Sequence, residues 1–338
     1  MDQSLVIRRV ASAARSSIGP SLRTTRFLVA VMVPVSLAVT LMDRSGVLRL
    51  ISGYIDPVMA FLGLPGESSL VFISAVLLNN YSAIAVIGTL QLSPREIAIL
   101  AVMCLIAHNL IVECAVMKRT GSSVTKMAFL RITMALAAAF LLNRILPLDF
   151  TAGKGFSFGG LALNYTTPVS HGGMLRGVGL DMGELPSLLS AWGIASGMLV
   201  LKMAILISLL MLAQKLMEEF GLIELLSNIM KPFMRLLGLP PTTSFLWIVA
   251  NILGLAYGSA IMIERSESGK LSLSDGDLFN HHVAMSHSLL EDTLLFFALG
   301  VPLFWLLVPR IVLAVVVVWS ERIRRVLFRR SFQVGTIK

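Results

Sequence analysis

Charge is scarce in this chain. Only 14% of its 338 residues are Asp, Glu, Lys or Arg, against roughly 25% in an ordinary soluble domain. Hydrophobic residues make up 56%, and the mean hydropathy is +0.84. So few charges cannot cover a water-exposed surface, which excludes a soluble enzyme and a disordered chain and points to a polytopic α-helical membrane protein. Cysteine is scarce too. Cys104 and Cys114 sit in one apolar segment, with neither zinc-type spacing nor the makings of an extracellular disulfide framework. Phosphate loop, nucleophile elbow and HExxH motif are all absent, which counts against a membrane-embedded hydrolase or metal enzyme.

The charge that is present is unevenly placed. Residues 1–26 hold Arg8, Arg9, Arg15, Arg23 and Arg26 against Asp2; residues 321–338 hold Arg322, Arg324, Arg325, Arg329, Arg330 and Lys338 against Glu321. The two tails carry the whole net charge of +9. They flank apolar helices, so they read as cytoplasmic anchors under the positive-inside bias, in a bacterial inner membrane with both termini inside. No nucleic-acid partner is expected. Residues 3–26 also have the Arg- and Ser-rich, acid-free composition of an organellar transit peptide, but the matching tail at the other end favours an anchor.

An internal duplication is the strongest signal. With a shift of 175, Gly46–Pro65 lies over Gly221–Pro240; Gly46, Leu50, Ser52, Pro57, Met59, Leu62, Gly63, Leu64 and Pro65 recur as the same residue types. With a shift of 179, His108 falls on His287, Glu113 on Asp292 and Arg131 on Arg310. The expected organisation is a basic tail (1–26), a first repeat (27–146), a polar, glycine-rich linker (147–195, containing His171), a second repeat (196–320) and a basic tail (321–338). Each repeat reads as a span, an amphipathic interfacial helix closed by Gly-Leu-Pro, an apolar segment with a polar or glycine-rich centre, and two helices around a short turn. If every apolar segment crosses, there are eight spans. If the polar-centred segments are re-entrant hairpins, there are six and the repeats are inverted. Counting basic residues outside favours six slightly.

Charges inside apolar segments cost about 2.5–3.5 kcal/mol each at a helix centre. Glu113, Arg131, Lys202, Glu291, Asp292 and Arg310 should therefore face the interior and find partners. Acid and arginine lie 18 residues apart in both repeats, so helical hairpins turning at Ser122 and Val301 would set them at matching depth. Buried pairs Glu113–Arg131 and Asp292–Arg310 are expected, either as structural locks or as groups that polarise a solute site. His108 and His287 precede the acids by five residues, about 140° around a helix, and share a face with them only if the helix is distorted. Asn109 with Glu113, and His287 with Glu291, are i,i+4 pairs. His281, His282 and Met285 form a dense group with ligand types suited to a transition metal, and Cys104–His108 is another i,i+4 pair. His281 and His282 equally suit a helix start at the membrane surface. Asn79, Asn80, Asn251 and Tyr257 interrupt apolar helices, either as packing polar groups or where the backbone unwinds to bind a solute.

The segments AHNLIVECAVMKRTG (Ala107–Gly121), GLAYGSAIMIE (Gly254–Glu264) and HSLLEDTLLFFALG (His287–Gly300) resemble the Gate, or nucleoside-recognition, family. That family includes concentrative nucleoside transporters, the membrane part of ferrous-iron permeases and spore maturation membrane proteins. The resemblance implies an all-α bundle of two Gate-type repeats with re-entrant or broken helices around a central site. It implies a transporter for a nucleoside-like solute or a divalent metal as substrate, with no cofactor; the alternative is a membrane assembly factor with structural ion pairs. Asn79–Ala83 lacks the cysteine of the iron permeases, and neither a GTPase domain nor the Gln/Glu-rich hairpin of the nucleoside transporters is present. The candidate site is His108, Asn109, Glu113, His287, Glu291, Asp292, Asn79, Asn80, Asn251 and Tyr257, partnered by Arg131 and Arg310. The expected partners are the lipid bilayer, a small solute or ion, and a second copy in a homo-oligomer.

Overall fold

A computed structural model describes residues 3–45, 47–151, 183 and 185–334. Among them every regular element is helical. In order these are α1 (Gln3–Arg44), α2 (Val47–Phe61), α3 (Ser69–Leu77), α4 (Asn80–Ile87), α5 (Pro94–Ala107), α6 (Leu110–Arg119), α7 (Val124–Ile145), α8 (Leu185–Glu219), α9 (Leu222–Met234), α10 (Ser244–Ile252), α11 (Leu255–Glu267), α12 (Leu273–Ser286), α13 (Glu291–Phe297) and α14 (Leu303–Val334).

Five stretches are long and apolar enough to cross a membrane: Leu5–Met42, Pro94–Arg119, Val124–Ile145, Leu185–Glu219 and Leu303–Leu327. A sixth is reached if Tyr54–Phe61 and Gly66–Leu77, bent by 89°, count as one. This sixth candidate joins the expected interfacial helix to the start of the polar-centred segment and is not one of the six crossings of the topology read from the sequence. α1 runs unbroken through residue 26 and α14 through residue 320, so each expected basic tail continues the helix beside it. α8 opens at Leu185, within the stretch expected as the linker, and His171 lies outside the described residues.

The centre of the bundle is built from α5, α7, α12 and α14, which pack on one another, while α1 packs along α8. Within Pro94–Arg119, 83% of the most apolar window is buried, against 19–28% in the other four candidate spans. That difference makes α5–α6 the most enclosed of the five, while the other four turn more of their surface outward. The two amphipathic helices behave differently. Tyr54, Val58 and Phe61 on α2, and Leu225, Ile229 and Phe233 on α9, are exposed apolar side chains suited to the membrane interface. Both helices end on a glycine in the left-handed region, Gly63 (φ +75°) and Gly238 (φ +76°). The following Leu64 and Leu239 N–H groups donate back to Met59 O and Met234 O, at 3.0 and 2.8 Å. These are the reversed bonds that close a helix C-terminus.

Candidate functional site

Two helix breaks bring the chemistry together. α5 stops at His108 because Asn109 adopts φ +48°, and α6 restarts at Leu110. α12 stops at His287 because Ser288 adopts φ +50°, and α13 restarts at Glu291. Each break frees backbone groups that must be satisfied inside the bundle. Asn109 N–H donates to Ala75 O at the end of α3, and Ser288 N–H donates to Ala250 O in α10, both at 2.9 Å.

The carbonyls freed at the ends of α5 and α12 are taken by arginines. Arg131, on α7 and fully buried, donates from Nε to Ile106 O (2.8 Å) and from Nη2 to His108 O (2.9 Å). Arg310, on α14 and equally buried, donates from Nε to Met285 O (3.2 Å) and from Nη2 to His287 O. A guanidinium suits a helix C-terminus, where unpaired carbonyls and the helix dipole both present negative charge. Reading the chain for acid–base pairs missed these carbonyl partners. The only hint in the sequence was an arginine recurring at the same distance after each histidine.

The acids sit beside these arginines but not symmetrically. Glu113 Oε2 lies 2.6 Å from Arg131 Nη1. Among the described residues Arg310 has no carboxylate within 4.0 Å, and its Nη1 donates instead to Thr293 Oγ1 at 3.3 Å. The expected direct Asp292–Arg310 pair is thus replaced: Asp292 turns across the interface, its Oδ2 lying 3.2 Å from His108 Nε2. Lys202 also departs from expectation, being half-buried on α8 with no acidic partner among the described residues; a lysine stem can lie along an apolar surface while its amine seeks water.

His108 and His287 meet at the centre, with their Nε2 atoms 3.1 Å apart. Glu113 Oε1 lies 3.4 Å from His108 Nε2 and 3.2 Å from His287 Nε2. The break at Asn109 supplies the distortion that lets a histidine and an acid five residues apart face one another. Each ring also turns Nδ1 to the carbonyl four residues back, Cys104 O at 3.0 Å and Val283 O at 2.7 Å. A carbonyl only accepts, so both Nδ1 atoms carry the proton. Glu291 does not pair with His287, because the break intervenes; its Oε1 accepts from Tyr81 Oη at 2.8 Å.

The remaining expected residues are dispersed. Asn79 caps α4, accepting from Ser82 N–H at 3.0 Å. Asn80 is buried, its side-chain amide having no hydrogen-bond partner among the described residues. Asn251 donates to Trp247 O at 2.8 Å within its own helix. Tyr257 lies in α11, with its side chain outside the described residues. His281, His282 and Met285 do not form a site together. His281 Nδ1 donates to Asp277 O at 2.6 Å, whereas His282 Nδ1 meets Ser286 Oγ at 2.9 Å, since adjacent helical positions point about 100° apart. Two other groups of side chains bring three metal-capable atoms within 4.8 Å of one another: His108, His287 and Asp292; and Asp277, His281 and Glu321. The second group is already neutralised by Lys126, Arg324 and Arg325.

Residues 26–124 match the Gate family, described as nucleoside recognition. Over 294 residues the chain is 34% identical to "Uncharacterized membrane protein YvoD" of Bacillus subtilis (strain 168), covering 87% of this chain and 88% of that one. The chain belongs to the Gate family. No solved structure matches it. As a Gate-family protein it is a multi-pass, all-helical membrane protein. Its matched region contains the first helix break, with His108, Asn109 and Glu113.

Proposed function

We propose that this Gate-family protein is a permease that passes a small polar solute or a divalent cation through a site between two inverted repeats. The observation that carries the reading is the pair of broken helices whose ends meet at His108 and His287, deep in the bundle and away from lipid. Broken helices at mid-membrane suit transporters, because freed backbone and buried polar groups can hold a solute there and the two halves can rock around it. The proposed site comprises His108, Asn109, Glu113, His287, Glu291 and Asp292, with Arg131 and Arg310 as positioning partners.

Residues 27–146 and 196–320 are the proposed repeats. In support, Arg131 and Arg310 take carbonyls at equivalent positions, and Asn109 and Ser288 have the same left-handed backbone. The closures Leu64 to Met59 and Leu239 to Met234 also correspond. α12 and α13 form the sixth crossing in this arrangement. It is less apolar than the others because it carries His281, His282, His287, Glu291 and Asp292. Both termini lie on the cytoplasmic side. Cysteine labelling from either side of the membrane tests that placement; labelling of the two termini from opposite sides refutes six crossings.

Uptake into proteoliposomes tests the permease reading, with Glu113→Gln and Asp292→Asn as the altered proteins. Flux in the wild type that falls in both variants is expected. A second reading, a non-transporting assembly factor, is favoured by Arg131 and Arg310, whose main partners are structural carbonyls. It prevails if the wild type moves neither nucleosides nor divalent ions and the substitutions change only stability.

A further inference from the structure

Four atoms able to accept a hydrogen bond or a metal ion converge between the two helix breaks: Nε2 of His108 and of His287, Asp292 Oδ2 and Glu113 Oε1. Each histidine spends its Nδ1 proton on a backbone carbonyl, so each Nε2 presents a lone pair. Those lone pairs lie 3.1 Å apart, beside Asp292 Oδ2 at 3.2 Å from His108 and Glu113 Oε1 at 3.2 Å from His287. All four residues are buried. With both rings neutral such an array repels itself, so either a proton or a metal ion belongs inside it. Arg131 and Arg310 do not fill that role, because both turn their Nη2 and Nε donors to carbonyls. Charge points the same way: Glu113, Glu291 and Asp292 are three carboxylates against two guanidiniums.

We infer that His108, His287 and Asp292 bind one divalent first-row transition-metal ion, with Glu113 beside it holding Arg131 and balancing charge. The inference rests on the site of the permease reading and names its substrate class. Metal–nitrogen and metal–oxygen bonds of about 2.0–2.2 Å at tetrahedral angles put neighbouring ligand atoms about 3.3 Å apart. The observed separations of 3.1 and 3.2 Å at His108 fit that spacing. The cluster is thus sized for one ion, and a nucleoside does not fit among atoms so close. Two imidazoles with a carboxylate suit zinc, iron, cobalt or nickel better than magnesium or calcium, which take oxygen ligands. The Nδ1–H to carbonyl bonds are the outer contacts that fix ring orientation and tautomer in histidine metal sites.

The full chain, purified in detergent and stripped with a chelator, is titrated with Zn²⁺ by calorimetry and with Co²⁺ by visible absorption. One equivalent per chain is expected, uncompeted by Mg²⁺, with the Co²⁺ spectrum reporting nitrogen ligation. His108→Gln, His287→Gln and Asp292→Asn should each weaken binding at least about 100-fold, the upper end of what outer-contact changes do. His281→Gln and His282→Gln should bind as the wild type does. The Co²⁺ spectrum needs no variant, so a misfolded substitution cannot hide the result. Folded wild type that binds neither ion overturns the inference, the cluster then holding a shared proton instead. Binding that survives all three substitutions, or that disappears with His281, overturns it too. Wild type that binds metal but moves nothing across proteoliposomes leaves the site standing and removes the permease reading. Flux of a solute without metal binding does the reverse.

Discussion

Arg131 and Arg310 occupy corresponding places but should differ in what their loss costs. Arg131→Met removes two carbonyl bonds and leaves Glu113, 2.6 Å away, as a buried carboxylate without its guanidinium. Breaking one side of a buried ion pair costs about 3–5 kcal/mol, and each unsatisfied buried carbonyl adds about 1–3 kcal/mol. These terms overlap, so a loss of about 5 kcal/mol is expected for Arg131→Met. Arg310→Met abandons the carbonyls of Met285 and His287 and the Thr293 hydroxyl but orphans no directly paired acid. Its expected loss is about 3 kcal/mol, from the carbonyls alone. A second substitution separates the contributions. Glu113→Gln added to Arg131→Met removes the orphaned charge and should recover about 2 kcal/mol, while Asp292→Asn added to Arg310→Met should recover well under that, the carbonyls being what remains unpaired. The assay is unfolding in mixed micelles by SDS titration, followed by tryptophan fluorescence and analysed as two double-mutant cycles. Equal coupling in the two cycles would refute the asymmetry. No recovery in the first would show that Arg131 acts only on the carbonyls.

Three further outcomes follow from close approaches and strained backbone. At Gly276 a Cβ would stand 2.2 Å from the Thr120 carbonyl, so Gly276→Ala should force α12 from the end of α6 and cost about 1–3 kcal/mol, read as a lower melting temperature in detergent. Asn109 sits at φ +48°; Asn109→Gly should be neutral or stabilise by up to about 1 kcal/mol, whereas Asn109→Val should destabilise, and the same melting measurement would sink the backbone argument if the order reversed. Tyr81→Phe removes the only hydrogen-bond donor described for Glu291, and about 1.5–3 kcal/mol of stability should go with it. Glu291→Gln in that background should restore part of it, as seen in the SDS midpoint.

The repeated residues made much of this arrangement readable in advance. Pro57 and Pro232, and the Gly-Leu-Pro closures after them, mark two amphipathic helices that α2 and α9 reproduce within a few residues. The recurrence of His, acid and Arg at a constant shift identified the side chains that gather at the centre. The sequence was less informative where backbone continuity was at stake. Nothing local stops a helix at residue 26 or 320, and α1 and α14 run through both.

What the sequence by itself determined was chemical type and order: which segments prefer lipid, which few charges must be hidden, and which residues recur. It could not determine which hidden group meets which, because a helix break changes facing direction and hydrophobic periodicity does not record one. Left-handed residues at Asn109 and Ser288 turned each histidine toward the other, sent Arg310 to carbonyls instead of Asp292, and gave Asp292 to His108. Those choices were made by packing α5, α7, α12 and α14 together, which sets the arginines of α7 and α14 against the carbonyls freed at the ends of α5 and α12.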